Sequence, residues 1–348
     1  MDVNKIGKAI ACLRKRAGYT QKDLADRIGI SDKAVSKWER GIGLPEIGYL
    51  RRLSILLDTD SDSLLAGDVV HHDGNWQGII VTEENPYGIG IHTMVYDKPI
   101  VYFLLSYFLL VGIRNILIVC NEREKRYMDE TMGDGSEYGI RLFSFTGKLC
   151  DAVKKWDGEA MNTMLVYGRC LLYGVDQTRF FQKAMIDKER FTVLALPKRN
   201  CRSSHIQMDV NKKIVSSNED EPLRTQYDYS DIPILLFPSR LLHDVAKEED
   251  IPTFIYKYTS ENEMYVAMLD RGFVEIEVDS FDHVQEASAF LKIVQDKCGM
   301  NVYCLEEVAW RRGLITTKQL RMHGNRYGTT EYGAYILSLC DRVSGRER

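Results

Sequence analysis

Residues 20–41 read TQKDLADRIGISDKAVSKWERG, and this stretch decides the fold of the N-terminal part of the chain. Thr20 precedes a polar first turn, as an N-cap does. Leu24 and Ile28 are four residues apart and therefore share one face of a helix. Gly29 can adopt a positive φ and end that helix.

A second short helix follows after Ser31, which is suited to cap it. Val35 and Trp38 are three residues apart and predict a buried stripe. The other face is polar and carries Asp32, Lys33, Ser36 and Lys37. Two short helices joined by a glycine turn, the second of them polar on its outer face, follow the helix-turn-helix plan.

The surrounding residues strengthen this prediction through a resemblance. The spacing of Gln21, Ala25, Gly29, Val35 and Trp38 and the string SDKAVSKWERG resemble the Cro and phage-repressor (XRE) family. The resemblance covers residues 4–66 and implies an all-α bundle that binds double-stranded DNA. It places Asp32, Lys33, Ser36 and Lys37 against bases or phosphates, and Gln21 against a phosphate. One such module reads a half-site, so a dimer is expected.

The charge distribution agrees with a DNA-binding N-terminal part followed by an acidic remainder of the chain. The chain has 348 residues, enough for two or three domains, with 45% apolar and 28% charged residues. Residues 1–67 carry 12 Lys/Arg and 9 Asp/Glu, a net of +3, whereas the remainder is −7. We therefore expect nucleic acid to bind residues 1–67 and not the rest of the chain.

Cysteines and apolar runs indicate a cytoplasmic protein without a membrane partner. The eight cysteines are scattered and form no CxxC motif, as expected of reduced thiols. The longest apolar run, residues 100–113, is too short for a bilayer and predicts a buried helix. The N-terminus is polar and soon helical, unlike a secretory signal.

From residue 78 the pattern changes to alternating strands and helices. Strand patterns stand at GIIVT (78–82), NILIVC (115–120), GIRLFSF (139–145) and TMLVYG (163–168). Such alternation predicts an α/β doubly wound sheet, mostly parallel, with ligands beyond the C-terminal ends of the strands. The predicted division is a helix-turn-helix domain at 1–67, a linker at 68–77 and an α/β domain at 78–345.

The order of motifs in this part resembles sugar-phosphate nucleotidyltransferases, most closely the glucose-1-phosphate thymidylyltransferases. The resemblance is seen in four segments, VYDKPIVYFLLSYFLLVGIRNILIV (95–119), MGDGSEYGIRL (132–142), DRGFVEIEVDSFDHV (270–284) and EEVAWRRGLI (306–315). The resemblance spans about 77–341. It implies a nucleotide-diphospho-sugar transferase-like Rossmann fold with C-terminal helices, and Mg²⁺-dependent attack of a sugar 1-phosphate on a nucleoside triphosphate.

The phosphate loop departs from the family pattern. The family's GG-x-GTR is absent, and Glu83 and Glu84 stand where that loop begins. Alignment on VYDKP puts Gly90 in the place of the family's lysine, and residues 78–96 contain neither Lys nor Arg. We therefore expect poor triphosphate binding, since phosphoryl charge needs cationic partners.

The positions of the family's two metal-binding aspartates also differ from the family pattern. Arg169 replaces the family's first metal aspartate, and Glu277 aligns with the second. A fixed cation repels Mg²⁺, and one carboxylate alone makes a weak site. The sequence thus predicts an Arg169–Glu277 ion pair, no catalytic residue, no metal and no cofactor. Asp176 and Asp279 are further acidic groups available to a different chemistry.

Three functions remain open at this stage. The favoured one is a transcriptional regulator whose degenerate nucleotidyltransferase domain senses a nucleotide sugar or sugar phosphate for polysaccharide precursor genes. The second keeps that domain as an oligomerisation module in a homodimer or homotetramer. The third is an active nucleotidyltransferase acting on sugar phosphates with an added DNA reader. The operator, the ligand, and repression or activation stay undetermined.

Overall fold

A computed structural model defines the fold of most of the chain. It describes residues 2–17, 19–57, 64–65, 67, 76–82, 85–156, 161–168, 170–197, 206–208, 214–216, 228–247, 254, 258 and 264–344. The chain divides into two compact units, residues 1–71 with 309–316, and residues 72–308 with 317–348. The predicted boundaries at 67 and 77 stay predictions, because residues 68–75 lie outside the described ranges.

The first unit is helical, as the sequence predicts. Its helices are α1 (Val3–Arg16), α2 (Gln21–Ile28), α3 (Asp32–Glu39) and α4 (Ile47–Leu56). Thr20 and Asp23 form a reciprocal capping box at the start of α2, and Gly29 ends it at φ 83°. Ser31 caps α3 through the N–H of Ala34. Each signal acts within one turn of the chain, which is why the boundaries can be read locally.

One apolar cluster holds these helices together. Leu24, Ile28 and Val35 are buried, and Trp38 is 7% exposed. They pack with apolar residues of α1 and α4. The stripe predicted from the three- and four-residue spacing is therefore the core of the unit, which leaves the polar face of α3 exposed.

The second unit contains strands and helices in alternation. The strands are β1 (Trp76–Val81), β2 (Met94–Val95), β3 (Lys98–Pro99), β4 (Asn115–Cys120), β5 (Arg141–Thr146), β6 (Asn162–Tyr167), β7 (Cys170–Gly174), β8 (Thr192–Pro197), β9 (Ile206–Met208), β10 (Ile214–Ser216), β11 (Asp228–Phe237), β12 (Tyr265–Met268) and β13 (Phe273–Glu277). The helices are α5 (Ile100–Leu110), α6 (Glu122–Thr131), α7 (Leu149–Lys155), α8 (Gln177–Ala184), α9 (Leu242–Lys247), α10 (Phe281–Cys298), α11 (Leu305–Arg311), α12 (Thr317–Arg326) and α13 (Glu331–Ser344).

Parallel pairing builds the centre of the large sheet. β5, β4, β1 and β6 lie side by side in that order, and Ile79 of β1 pairs with Leu117 and Leu165. From β1 the chain moves to β4 and β5 on one side and to β6 on the other. A ligand crevice in such a sheet lies beyond the strand ends where this reversal occurs, here between β1 and β6.

The prediction of an α/β doubly wound domain with C-terminal helices is confirmed, and the sheet is mixed. β11 runs antiparallel to β6 and to β8, while β12 is parallel to β8. β7 and β13 form a separate antiparallel pair with Cys170 opposite Glu277. Strand patterns do not reveal pairing direction, because that depends on which distant strand becomes the neighbour.

The longest apolar run forms α5, whose residues 100–109 are all buried. All six residues of β4 are buried as well, as expected of a central parallel strand. Within the described part of the chain, no helix has the length and apolarity to cross a membrane. The described cysteines form no disulfide bond with one another, and Cys120, Cys170, Cys304 and Cys340 are buried.

Candidate functional site

The polar face of the α2–α3 helix pair forms one shallow concavity on the first unit. Its volume is about 270 Å³. Asp32, Lys33 and Lys37 are exposed and Ser36 is half-buried. The lining comprises Gln21, Asp32, Lys33, Ser36, Lys37 and Arg40. The structure therefore brings together all five residues that the sequence predicts to contact DNA.

Arg40 is the sixth member of this lining, and the sequence reading missed it. It is exposed, and its Nε donates a hydrogen bond to the carbonyl oxygen of Ser36 at 3.2 Å. That bond fixes the guanidinium beside Lys37. Arg40 lies four and three residues after Ser36 and Lys37, and this helical spacing was the signal available in the sequence.

A buried ion pair orients Gln21. Glu39 binds Arg14 through two hydrogen bonds, Nε to Oε1 at 2.5 Å and Nη2 to Oε2 at 3.1 Å. Gln21 Nε2 donates to Glu39 Oε2 at 2.7 Å, and Arg14 Nη1 also donates to the carbonyl of Tyr19 at 2.6 Å. An amide has two N–H donors, so Gln21 can bond Glu39 and a phosphate together.

The second candidate site lies in the second unit, beyond the ends of β1 and β6. Several described backbone N–H groups of the segment after β1 already donate hydrogen bonds within the protein. Tyr87 N–H donates to Asn85 Oδ1 at 2.8 Å, and Gly88 N–H donates to the Asn85 carbonyl at 2.9 Å. Gly90 N–H donates to Thr93 Oγ1 at 3.0 Å. A phosphate cradle needs such N–H groups to point at its anion.

Glu124 is a fully buried carboxylate beneath this segment. Its Oε1 accepts a hydrogen bond from the N–H of Ile91 at 2.9 Å, and its Oε2 accepts one from the hydroxyl of Thr82 at 2.6 Å. Asn121 N–H also donates to Oε2, which completes a capping box at the start of α6. A Cβ at Gly90 would stand 2.2 Å from Glu124 Oε1, so glycine is required there. The capping box was readable in the sequence, but the contact with the loop was not.

Two basic side chains lie near the loop, Arg123 from α6 and His92 from within residues 78–96. Arg123 Nη1 lies 3.7 Å from the position that a Cβ would occupy at Gly88. His92 packs against Tyr127 with ring centroids 6.0 Å apart. Burial lowers the pKa of His92, and the charge of Arg123 lowers it further. Arg123 thus supplies a cation that the sequence reading of the loop overlooked.

Three predicted positions lie outside the described residues, namely Glu83, Glu84 and Arg169. The Arg169–Glu277 ion pair therefore stays a prediction. The backbone of Cys170 is the register partner of Glu277, so β7 and β13 bring these parts of the chain together. Asp176 is exposed, has φ 56° and precedes α8.

Glu277 has two further polar neighbours. His283 Nδ1 lies 2.5 Å from Asp279 Oδ1 and 3.6 Å from Glu277 Oε2. The hydrogen bond with Asp279 raises the pKa of His283, and the charge of Asp279 and then of Glu277 raise it further. One ligand atom from each of the three side chains falls within 4.8 Å of the others, a spacing open to a metal ion. The sequence reading identified Glu277 and Asp279 but missed His283.

Comparison with known proteins relates both units to families. Residues 11–64 match the helix-turn-helix family model, and residues 92–274 match the nucleotidyl transferase model, which covers more than half of the chain. The chain belongs to the nucleotidyl transferase family. The helix-turn-helix match adds an XRE-type domain in front of the nucleotidyl transferase domain.

Curated relatives of the nucleotidyl transferase domain are glucose-1-phosphate thymidylyltransferases. That of Neisseria meningitidis serogroup A is 28% identical over 259 residues, which cover 70% of this chain and 90% of the relative. That of Mycolicibacterium smegmatis is 28% identical over 282 residues, which cover 75% and 96%. The similarity therefore spans nearly the whole of each relative.

Among solved structures, a chain described as a glucose-1-phosphate thymidylyltransferase from Bacillus anthracis has the same fold. The TM-score is 0.50 at 16% identity, over 62% of this chain and 94% of that chain. At this identity the likeness supports the nucleotidyl transferase fold alone.

Proposed function

We propose that this protein is a sequence-specific DNA-binding transcriptional regulator. On this proposal the nucleotidyl transferase domain is catalytically inactive and serves as a ligand sensor, an oligomerisation module or both. The observation that carries the proposal is the concavity on α2 and α3, which collects three exposed cations on a capped, rigid helix pair.

The chemistry of that concavity suits duplex DNA. Lys33 and Lys37 can donate to guanine edges or to phosphates, and Arg40 can hold a phosphate in a bidentate manner. Asp32 is an acceptor for the amino group of cytosine. Its Oδ1 also accepts the N–H of Lys33 at 2.8 Å, which orders the start of α3.

DNA binding is tested on the full chain by fluorescence anisotropy with operator fragments selected from random duplexes. Lys33→Ala/Lys37→Ala is expected to weaken binding and to flatten its salt dependence by about 0.9 in log–log slope per lost phosphate contact. Lys8→Ala/Lys15→Ala is the matched control, since it removes the same charge from exposed positions of α1 outside the concavity. Equal binding by both double variants would refute the interface.

The loss of transferase activity is supported by the loop after β1. Its N–H groups at Tyr87, Gly88, Gly90 and Ile91 already donate to protein acceptors, and one of those acceptors is the buried carboxylate of Glu124. A triphosphate here would have to replace these bonds and approach a negative charge. The sequence of residues 78–96 also lacks Lys and Arg.

Activity is tested by pyrophosphate release from nucleoside triphosphates and sugar 1-phosphates with Mg²⁺, using the Neisseria meningitidis relative as the positive control. We expect no turnover above the buffer blank. Turnover that Glu277→Ala abolishes would establish an active nucleotidyltransferase acting on sugar phosphates instead.

Ligand sensing is supported by the loop after β1, because Arg123 Nη1 lies 3.7 Å from the position that a Cβ would occupy at Gly88 in that loop. An anion bound there would be a nucleotide sugar or sugar phosphate, because the similar proteins are glucose-1-phosphate thymidylyltransferases. A ligand at 100 times its Kd stabilises the protein by about 2.7 kcal/mol. A thermal-shift screen is expected to find selective stabilisation that Arg123→Gln reduces. Absence of any shift, combined with a homodimer or homotetramer in solution, would leave oligomerisation in the cytoplasm as the role of the domain.

A further inference from the structure

A cluster of potential metal ligands stands at the corner between β13 and α10. It consists of Glu277, Asp279 and His283, one acidic residue at the end of the strand, one in the connection and an imidazole in the first turn of the helix. The cluster belongs to the second unit, whereas the residues proposed to bind DNA belong to the first. Metal binding at the cluster can therefore be tested independently of DNA binding.

The backbone holds the three ligand-bearing positions in place. Glu277 is paired with Cys170 across the β7–β13 ladder. The carbonyl oxygen of Asp279 accepts a hydrogen bond from Asn85 Nδ2 at 2.6 Å. The N–H of His283 donates to the capping hydroxyl of Ser280 at 3.1 Å. Strand pairing thus holds the backbone of Glu277, the Asn85 side chain holds that of Asp279, and the Ser280 cap holds that of His283. A metal site requires its ligands to be held in place in this way.

The separations between the ligand atoms are close to those around a bound ion. Ligands about 2.1 Å from a tetrahedral metal lie about 3.4 Å from one another. Glu277 Oε2 and His283 Nδ1 are already 3.6 Å apart. Asp279 Oδ1 and His283 Nδ1 are 2.5 Å apart, so an ion would have to separate them by about 1 Å. Rotation of the Asp279 side chain is the movement that this separation requires.

We propose that Glu277, Asp279 and His283 bind a divalent transition-metal ion, with water completing its coordination. The three side chains are 42%, 52% and 38% exposed, so an ion can enter and retain solvent ligands. One imidazole with two carboxylates is a donor set for Zn²⁺, Co²⁺ or Cu²⁺. Mg²⁺ prefers oxygen ligands alone and competes poorly for a site with a nitrogen donor.

This proposal departs from two sequence-based predictions, that the chain binds no metal and that Glu277 forms an ion pair with Arg169, since a cation paired with Glu277 would repel the ion. The first of these predictions considered Glu277 as a single remaining carboxylate. The structure adds a second carboxylate and an imidazole from positions two and six residues further along the chain, because the strand ends and the helix begins within that interval. The resulting ligand set differs in chemistry from a pair of aspartates.

The first test is isothermal titration of the full chain with Zn²⁺ after dialysis against a chelator, in the presence of excess Mg²⁺. His283→Gln and Asp279→Asn are expected to weaken one binding event at least about 100-fold, beyond the 10–100-fold loss caused by outer-shell changes. His243→Gln, at an exposed histidine on α9, is the matched control and should leave that event unchanged. Identical isotherms for all four proteins would overturn the proposal.

The second test needs no variant and therefore does not depend on how the variants fold. Cu²⁺ with ascorbate oxidises an imidazole that holds the ion, and peptide mass spectrometry locates the oxidised residue. Oxidation is expected at His283 well above that at His243, with protection by Zn²⁺. Oxidation at His283 no greater than at His243, or unaffected by Zn²⁺, would show that the cluster is only a hydrogen-bonded helix cap.

Discussion

The ion pair between Arg14 and Glu39 should decide whether the DNA-binding unit stays folded. Arg14 is 8% exposed and Glu39 binds it through two hydrogen bonds while also accepting one from Gln21. Glu39→Ala removes all three bonds and leaves the guanidinium buried beside the carbonyl oxygen of Tyr19, to which Arg14 Nη1 donates. Removing one partner of a buried pair costs about 3–5 kcal/mol.

That loss is comparable to the whole stability of so small a unit. A folded protein is stabilised by about 0.05–0.15 kcal/mol per residue, or roughly 3–9 kcal/mol for some 60 residues. A loss of 3–5 kcal/mol raises the opening equilibrium about 10²- to 10⁴-fold. Hydrogen–deuterium exchange of the full chain, followed in peptides from α1 to α3, measures this rise, with peptides from β4 as an internal reference.

Two further variants separate the cause from the side effects. Glu46→Ala changes an exposed glutamate that makes no capping bond, and should alter stability by less than about 0.5 kcal/mol. Arg14→Met/Glu39→Leu removes both charges, and apolar replacement of a buried pair is often neutral or stabilising. If Glu39→Ala exchanges as slowly as Glu46→Ala, or the double variant exchanges as fast as Glu39→Ala, the unpaired buried charge is not the cause.

Three other perturbations test the remaining structure. Thr20→Ala breaks the capping box with Asp23 and should cost about 1 kcal/mol, measured by the same exchange experiment on α2. Gly90→Ala places a Cβ 2.2 Å from a Glu124 oxygen that buried hydrogen bonds hold in place, and should cost about 1–3 kcal/mol in urea unfolding. In the His92→Gln variant, the melting temperature should decrease less on acidification than it does in the wild type. Burial disfavours the charged imidazole of His92 in the folded protein and lowers its pKa, so its contribution to stability is complete above the ordinary pKa of 6.5 and decreases as the pH falls below that value. Equal slopes for wild type and variant between pH 7 and 5 would exclude this role.

The local elements were predictable because their signals act over one or two turns. Thr20, Gly29 and Ser31 mark the helix ends in the first unit where the structure has them. The alternating pattern after residue 78 likewise predicted the parallel centre of the sheet, since buried parallel strands are almost continuously apolar.

The contents of the candidate sites were less predictable. Arg123 and Glu124 follow β4, yet they meet the loop that follows β1, because the two strands are parallel neighbours whose C-terminal ends share one edge. Because residues 78–96 contain neither Lys nor Arg, the sequence of this segment alone does not indicate a cation near Gly88. Arg40 was omitted because it follows α3, although the concavity includes it.

The sequence by itself determined the two kinds of domain, the polar outer face of α3 that is predicted to contact DNA, and the departures from the nucleotidyl transferase motifs. These depend on residue type and on spacing within single elements. Only the tertiary structure decided that Glu124 receives the Ile91 N–H of the loop after β1 and that Asn85 anchors Asp279, 194 residues away. Such contacts arise when strand pairing brings distant loops to one edge of a sheet, and no local pattern encodes that meeting.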